Sequence, residues 1–185
     1  MRNIVARPVK SSGSRSLRPD SNPVVTHDFR LFNRQRTRRV DTRLLSQVMQ
    51  GLLARMLPAT DVDLTAHLVG PTEMAQLNHD HVGHEGSTDV ITLDYGAGTD
   101  PGRAVVGEVF ICVADALEQA GRFATHWQSE LTRYLVHALL HLRGYDDLSP
   151  APRRRMKAAE NHWLARLERD FDLRKLARPT KLARE

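Results

Sequence analysis

The sequence is poor in cysteine. Cys112 stands alone among 185 residues, so no intrachain disulfide can form, and a single thiol fits a reducing compartment. It also lacks the apolar stretch of a secretory leader: Met1 to Arg18 is basic and Ser-rich. No hydrophobic run is long enough to cross a bilayer, so the expectation is a soluble cytoplasmic protein without membrane contact. Internal repeats are absent. No basic stretch is interleaved with aromatics, so the base-stacking platform of a single-strand binder is not written into any one segment.

Charge is abundant but unevenly placed. Residues 1–43 hold 11 Lys/Arg against 3 Asp/Glu, residues 44–150 hold 5 against 14, and residues 151–185 hold 11 against 5. Basic ends around an acidic middle suggest a polyanionic partner such as RNA or DNA, and an acidic middle is a place to bind a cation. The length suits one domain with tails. Residues 1–22 read as a disordered basic arm, 23–172 as the folded domain and 173–185 as a basic C-terminal tail.

Within the domain, Pro23-Val24-Val25 opens a first strand, and Asp41 caps a helix through Leu44, Leu45, Val48, Leu52, Leu53 and Met56. Val62–Val69 alternates as a strand. Thr72 starts a short helix, and Asn78 to Gly86 reads as a polar, His-rich loop. Asp89–Tyr95 and the apolar Val105–Val113 are further strands, separated by a Gly/Asp/Pro loop at 96–102. An amphipathic helix spans Asp115–Phe123. Thr125 is the expected cap of the longest apolar helix, Trp127–Leu142, which Gly144 ends. A last helix runs from about Arg153 to Arg169. Strands mixed with helices give an α/β or α+β sandwich. Trp127, Tyr134 and Trp163 are expected core anchors, and His27, His67, His126 and His162 show no metal-like spacing.

The chemistry lies at the end of the long helix. His137 and His141, four apart, share one helical face one turn apart, close enough to share an ion. Gly144 lets the chain reverse, and Asp147, six residues after His141, can return a carboxylate to the same ion, with Asp146 as its rival. A Gly turn after the second His followed by a third ligand repeats the extended zincin pattern. Three protein ligands leave a position for water, the mark of a catalytic site. The general base that peptidases carry beside the first His is missing, because Ala138 occupies that place.

The segment His137-Ala138-Leu139-Leu140-His141-Leu142-Arg143-Gly144-Tyr145-Asp146-Asp147 resembles the signature H-G-x-L-H-L-x-G-Y-D-H of the YbeY endoribonucleases, or rRNA maturation factors. Glu73-Met74 with Leu77-Asn78, Thr88-Asp89-Val90-Ile91-Thr92 and Gly107-Glu108-Val109-Phe110-Ile111-Cys112 are similar to further blocks of that family, in the same order. The resemblance covers roughly residues 24–170. It implies a small, mostly parallel four-stranded sheet packed with five or six helices, and one zinc per chain at the end of the long helix. It implies cleavage of single-stranded RNA, maturation of the 3′ end of small-subunit rRNA, and action with the ribosome and its proteins in the cytoplasm.

Three positions depart from the family. Asp147 stands where a third His is usual, which makes a metal-bound water less acidic. Ala138 replaces Gly. Val82 stands where the family carries an Arg, four residues after the Leu-Asn pair, and a valine cannot pair with a phosphate. His79, His81 and His84 surround it, and His81 and His84 are the candidate catalytic groups for phosphate contact or proton transfer. Glu108 is either an outer carboxylate of the metal site or a surface charge. Thr88 and Asp89 are expected to cap or turn. The leading reading is a zinc endoribonuclease. Its rivals are a metal-stabilised ribosome-assembly factor with little nuclease activity, favoured by Val82, and a zincin-type peptidase, disfavoured by Ala138.

Overall fold

The computed structural model describes residues 5–6, 25–96 and 103–178. Most of the expected arm, the loop residues 97–102 and the tail beyond 178 lie outside the described residues. The elements in chain order are β1 (Val5–Ala6), β2 (His27–Asn33), α1 (Thr42–Met56), β3 (Val62–Val69), α2 (Pro71–Val82), β4 (Val90–Asp94), β5 (Val105–Cys112), α3 (Val113–Phe123), α4 (Trp127–Leu142) and α5 (Pro150–Asp170). A 3₁₀ turn, Leu173–Leu176, follows.

The sheet order is β1-β4-β5-β3-β2. Only the β4–β5 pair is antiparallel, so the sheet is mostly parallel, as expected. Four strands carry it, and the two-residue β1 adds an edge beside β4, with Val5 opposite Thr92. The β2–α1–β3 unit is a crossover between parallel neighbours, which forces a helix onto one face. Asp41 accepts the Leu44 N–H at 3.0 Å and starts α1, whose buried Leu45, Val48, Met49, Leu52, Leu53 and Met56 pack on that face. A smaller cluster on the opposite face joins Met74 of α2 to Val69, Ile91, Leu93 and Phe110.

α4 is the central helix. Of its 16 residues only Ser129 and Arg133 are not buried. A helix buried nearly all round is enclosed on all sides, here by the sheet, α3, α5 and the 3₁₀ turn. Its approach to the sheet depends on Gly107: a Cβ there would sit 2.6 Å from the Leu93 carbonyl oxygen and 3.0 Å from Leu142 Cδ2. At the end of α4, Arg103 donates to the Leu142 carbonyl at 3.1 Å and to Asp94 at 2.6 Å, placing a cation at the negative pole of the helix.

The strand expected to open at Pro23-Val24-Val25 falls mostly outside the described residues, and Val25 precedes β2. Four other expectations are corrected. The segment read as a loop from Asn78 continues α2 to Val82, because nothing there breaks a helix until Gly83 (φ 71°). Its polar residues are the solvent face of that last turn. Thr125 does not cap α4: the cap position is His126, and the Thr125 hydroxyl donates to Glu130 Oε1 at 2.8 Å. α5 begins three residues early, with Pro150 in its first turn, where proline's missing N–H costs nothing. Leu173 and Leu176, in the stretch read as tail, are buried, and Val40 bridges Ala177.

Replacing Gly107 by valine is expected to destabilise the protein by about 1–3 kcal/mol through overpacking between α4 and the sheet. Urea unfolding should show a lower midpoint at an unchanged slope. An unchanged midpoint would mean that α4 can move aside freely.

Candidate metal centre

α4 carries His137 and His141 on one face, and both are buried. Their Nε2 atoms converge to 3.1 Å, with ring planes 80° apart. Two nitrogens on a tetrahedral zinc, each at ~2.0–2.1 Å, lie about 3.3 Å apart, so the pair stands at the separation a shared ion demands. Asp147 Oδ1 is 3.7 Å from His141 Nε2, and one ligand atom from each of the three residues lies within 4.8 Å of the others. Among the described residues this is the one such group.

The turn that returns Asp147 is built locally. Gly144 takes φ 86°, its N–H donates to the His141 carbonyl at 2.8 Å, and the Tyr145 N–H donates to the Leu140 carbonyl at 3.0 Å. This paired closure of a helix end requires a left-handed residue, which glycine accepts without cost. Asp146 is exposed and its Oδ1 accepts the Leu148 N–H at 3.0 Å, so it holds the turn while Asp147 points inward. Arg153 fixes the backbone there, donating from Nε to the Asp147 carbonyl at 3.0 Å.

A fourth residue belongs to the site. Glu160 of α5 places Oε1 2.6 Å from His137 Nδ1, both groups being buried. The carboxylate accepts the Nδ1 proton, so the metal-binding, neutral form of the ring has its lone pair on Nε2, the atom that faces His141. Arg133 reaches Glu160 Oε2 at 3.7 Å and Glu130 Oε2 at 3.6 Å, and offsets part of the buried negative charge. Glu160 carried a readable signal, since it sits at helical spacing among the buried Met156, Leu164 and Leu167. A carboxylate in an apolar stripe needs a partner.

Burial, and next the charge of His137, hold the His141 imidazole below its ordinary range, against the raising effect of Asp147 and of a hydrogen bond with the Tyr145 main chain. The neutral ring thus favoured is the form that binds metal. Burial also pushes the Asp89 carboxyl up, opposed by the nearby charge of His137. Asp89 accepts the Val90 N–H at 3.1 Å and the Thr88 hydroxyl at 3.2 Å, which is a turn role.

The remaining candidates are not members of the metal group. His81 is in the last turn of α2 and His84 follows Gly83, both exposed. His79 pairs with Glu85 at 3.3 Å. Asn78 donates to the Gly86 carbonyl at 2.9 Å and ties this loop back to its helix. Glu108 faces His67 at 3.9 Å on the sheet, and the carboxylate beside the metal group is Glu160 instead. His27 meets the Leu57 carbonyl at 3.0 Å, and His162 packs its edge on Trp163.

The family model described as "Endoribonuclease YbeY" matches residues 30–168. The chain is 37% identical over 108 residues to endoribonuclease YbeY of Chlorobium luteolum, covering 58% of this chain and 76% of the relative. It is 33% identical over 139 residues to endoribonuclease YbeY of Chlorobaculum tepidum, covering 75% and 97%. The solution structure of TM1509 from Thermotoga maritima superimposes with a TM-score of 0.58 at 19% identity, covering 85% of this chain and 99% of that one, which bears on the fold alone.

Glu160→Gln, which keeps the shape but not the charge, should weaken zinc binding about 10–100-fold, and His141→Ala should abolish it. Titration against a chromophoric chelator measures both. Equal affinity for Glu160→Gln and the wild type would remove Glu160 from the site.

Proposed function

The chain belongs to the YbeY endoribonuclease family, and from that membership we infer that it is a metal-dependent endoribonuclease acting in rRNA maturation. We propose that His137, His141 and Asp147 hold one zinc ion per chain, that the substrate is single-stranded RNA at the 3′ end of small-subunit rRNA, and that the protein works with the ribosome in the cytoplasm. Among the described residues no helix is long and apolar enough to cross a membrane. The observation that carries the reading is the meeting of both Nε2 atoms and the Asp147 carboxylate at one point, a set of two nitrogens and one oxygen with room for a further ligand.

Bound there, zinc supplies Lewis-acid chemistry, polarising a phosphoryl oxygen and making a water easier to deprotonate. The protein's own part is to fix directions and charges. Glu160 keeps the His137 proton on Nδ1 and leaves Nε2 free. Asp147 adds a negative charge where relatives of this pattern have a neutral imidazole, so the set attracts electrons from substrate less strongly. Ala138 offers no proton acceptor, so the proton of the attacking water goes to another group. His81 and His84 are our candidates for that transfer, brought to a bound RNA from the end of α2. The basic segments 1–22 and 173–185, apart from the strand Val5–Ala6 and the buried turn Leu173–Leu176, add affinity for the RNA backbone that salt weakens.

A second reading, an assembly factor of low nuclease activity, is favoured by Val82 and by Asp147. The two separate experimentally. Zinc-loaded protein should cleave a labelled single strand, and both chelation and His141→Ala should reduce turnover to background. Equal cleavage by His141→Ala would mean a contaminating nuclease. Val82→Arg and Asp147→His should each raise the rate if those two positions limit it, by roughly 10-fold or more for a phosphate-binding arginine. No change in either variant would remove the reason for the second reading.

A further inference from the structure

A cleft of about 550 Å³ opens beside His137 and Asp147, walled by the end of α3, α4 and the start of α5. Four cations line it: Arg122, Arg133, Arg153 and Lys157. Arg133 is committed to Glu130 and Glu160. The other three are exposed and have no carboxylate partner among the described residues. Arg153 is anchored through Nε on the Asp147 carbonyl, which leaves the rest of its guanidinium for a ligand next to the metal group. Arg153 and Lys157 stand four apart on α5 and so share a face, while Arg122 faces them from α3. Of the three carboxylates lining the same space, Glu130 is held by Thr125 and Arg133, Glu160 by His137 and Arg133, and Asp147 belongs to the metal group, so they do not pair with these cations.

An aromatic ring completes the lining. Phe123 is 67% exposed at the end of α3, with Arg122 5.9 Å from its ring centroid. The next residue, Ala124, takes φ 51°, and the chain turns there into α4, leaving the ring at the cleft. A large exposed ring beside unpaired cations is the chemistry that holds an unpaired nucleotide, with the ring on the base and the cations on the phosphates.

We propose that this cleft seats the single-stranded RNA, with Arg122, Arg153 and Lys157 on its phosphates and Phe123 stacked on a base beside the linkage to be cut. The inference rests on the ribonuclease reading of the metal group. It also supplies, from α3 and α5, the phosphate contacts that Val82 cannot make from α2. Because a stacked base must leave its duplex, Phe123 selects for single strands.

The test uses the zinc-loaded full chain and a fluorescent, hydrolysis-resistant phosphorothioate RNA, single-stranded or annealed to its complement, read by anisotropy across a salt series. Arg122→Gln and Lys157→Gln should each weaken single-strand binding several-fold and lower the salt slope by about 0.7–1. Phe123→Ala should weaken it about 5-fold or more with the slope unchanged and narrow the preference for single over double strands. Arg154→Gln and Arg155→Gln, which lie outside the cleft lining, should match the wild type. On cleavable RNA the cleft variants should raise KM more than they lower kcat. The proposal is overturned if Arg122→Gln and Lys157→Gln keep wild-type affinity and slope, or if the outside variants lose as much. Failure of the ribonuclease reading looks different: the wild type does not turn over unmodified RNA, whatever the anisotropy of the variants.

Discussion

The contact between Glu160 and His137 is the one on which the rest of the site leans. A carboxylate and an imidazole are pressed together at 2.6 Å in a place that water scarcely reaches. The carboxylate would not be tolerated there alone, since an unpaired buried charge costs several kcal/mol. The pair makes each acceptable to the core, fixes which nitrogen of His137 carries the proton, and draws α5 against α4. Arg133, Glu130 and Thr125 extend it into a chain of polar contacts running from the metal group to the surface. The helix that supplies the carboxylate also carries Arg153 and Lys157. The contact that orients a metal ligand therefore also sets one wall of the cleft.

The acidic middle of the sequence takes on a different meaning in the fold. Its carboxylates are largely assigned to structural tasks: Asp94 to Arg103, Glu130 to Arg133, Glu73 to Arg34 and Asp115 to Ser87. Few are left to repel a polyanion at the cleft. Arg122, the cleft cation of that acidic segment without a carboxylate partner among the described residues, stands with Arg153 and Lys157 of the basic one. Net charge per segment is thus a poor guide to local field, because pairing removes charges in space irrespective of their place in the chain.

What could be read in advance was local. His137, His141 and Asp147 fall within one helix and the turn after it, so their spacing and Gly144 suffice to bring them together. The apolar period of α1 and α4 likewise stated which faces would be buried. Glu160 lies on another helix, and its meeting with His137 depends on how α5 docks, although its place in the stripe of Met156, Leu164 and Leu167 marked it as an acid that had to find a partner. The reach of α2 through Val82 was obscured because polar residues on an exposed helical face look like a loop. The cleft could not be read at all. Phe123 and Arg122 are separated from Arg153 and Lys157 by the whole of α4, and only the packing of α3 and α5 on either side of it makes them neighbours.

Cys112, the lone thiol, is fully buried, and burial pushes its pKa up to about 11. It is therefore neither a ready redox group nor a competitor for soft ions. With sulfur out of reach, the donor set is imidazole and carboxylate only, which copper binds more tightly than zinc. Selectivity among transition metals then has no thiolate to lean on, and the occupant follows the free-ion concentrations that the cell maintains. In that sense the chemical identity of the centre is set partly by cellular metal homeostasis and only partly by the polypeptide.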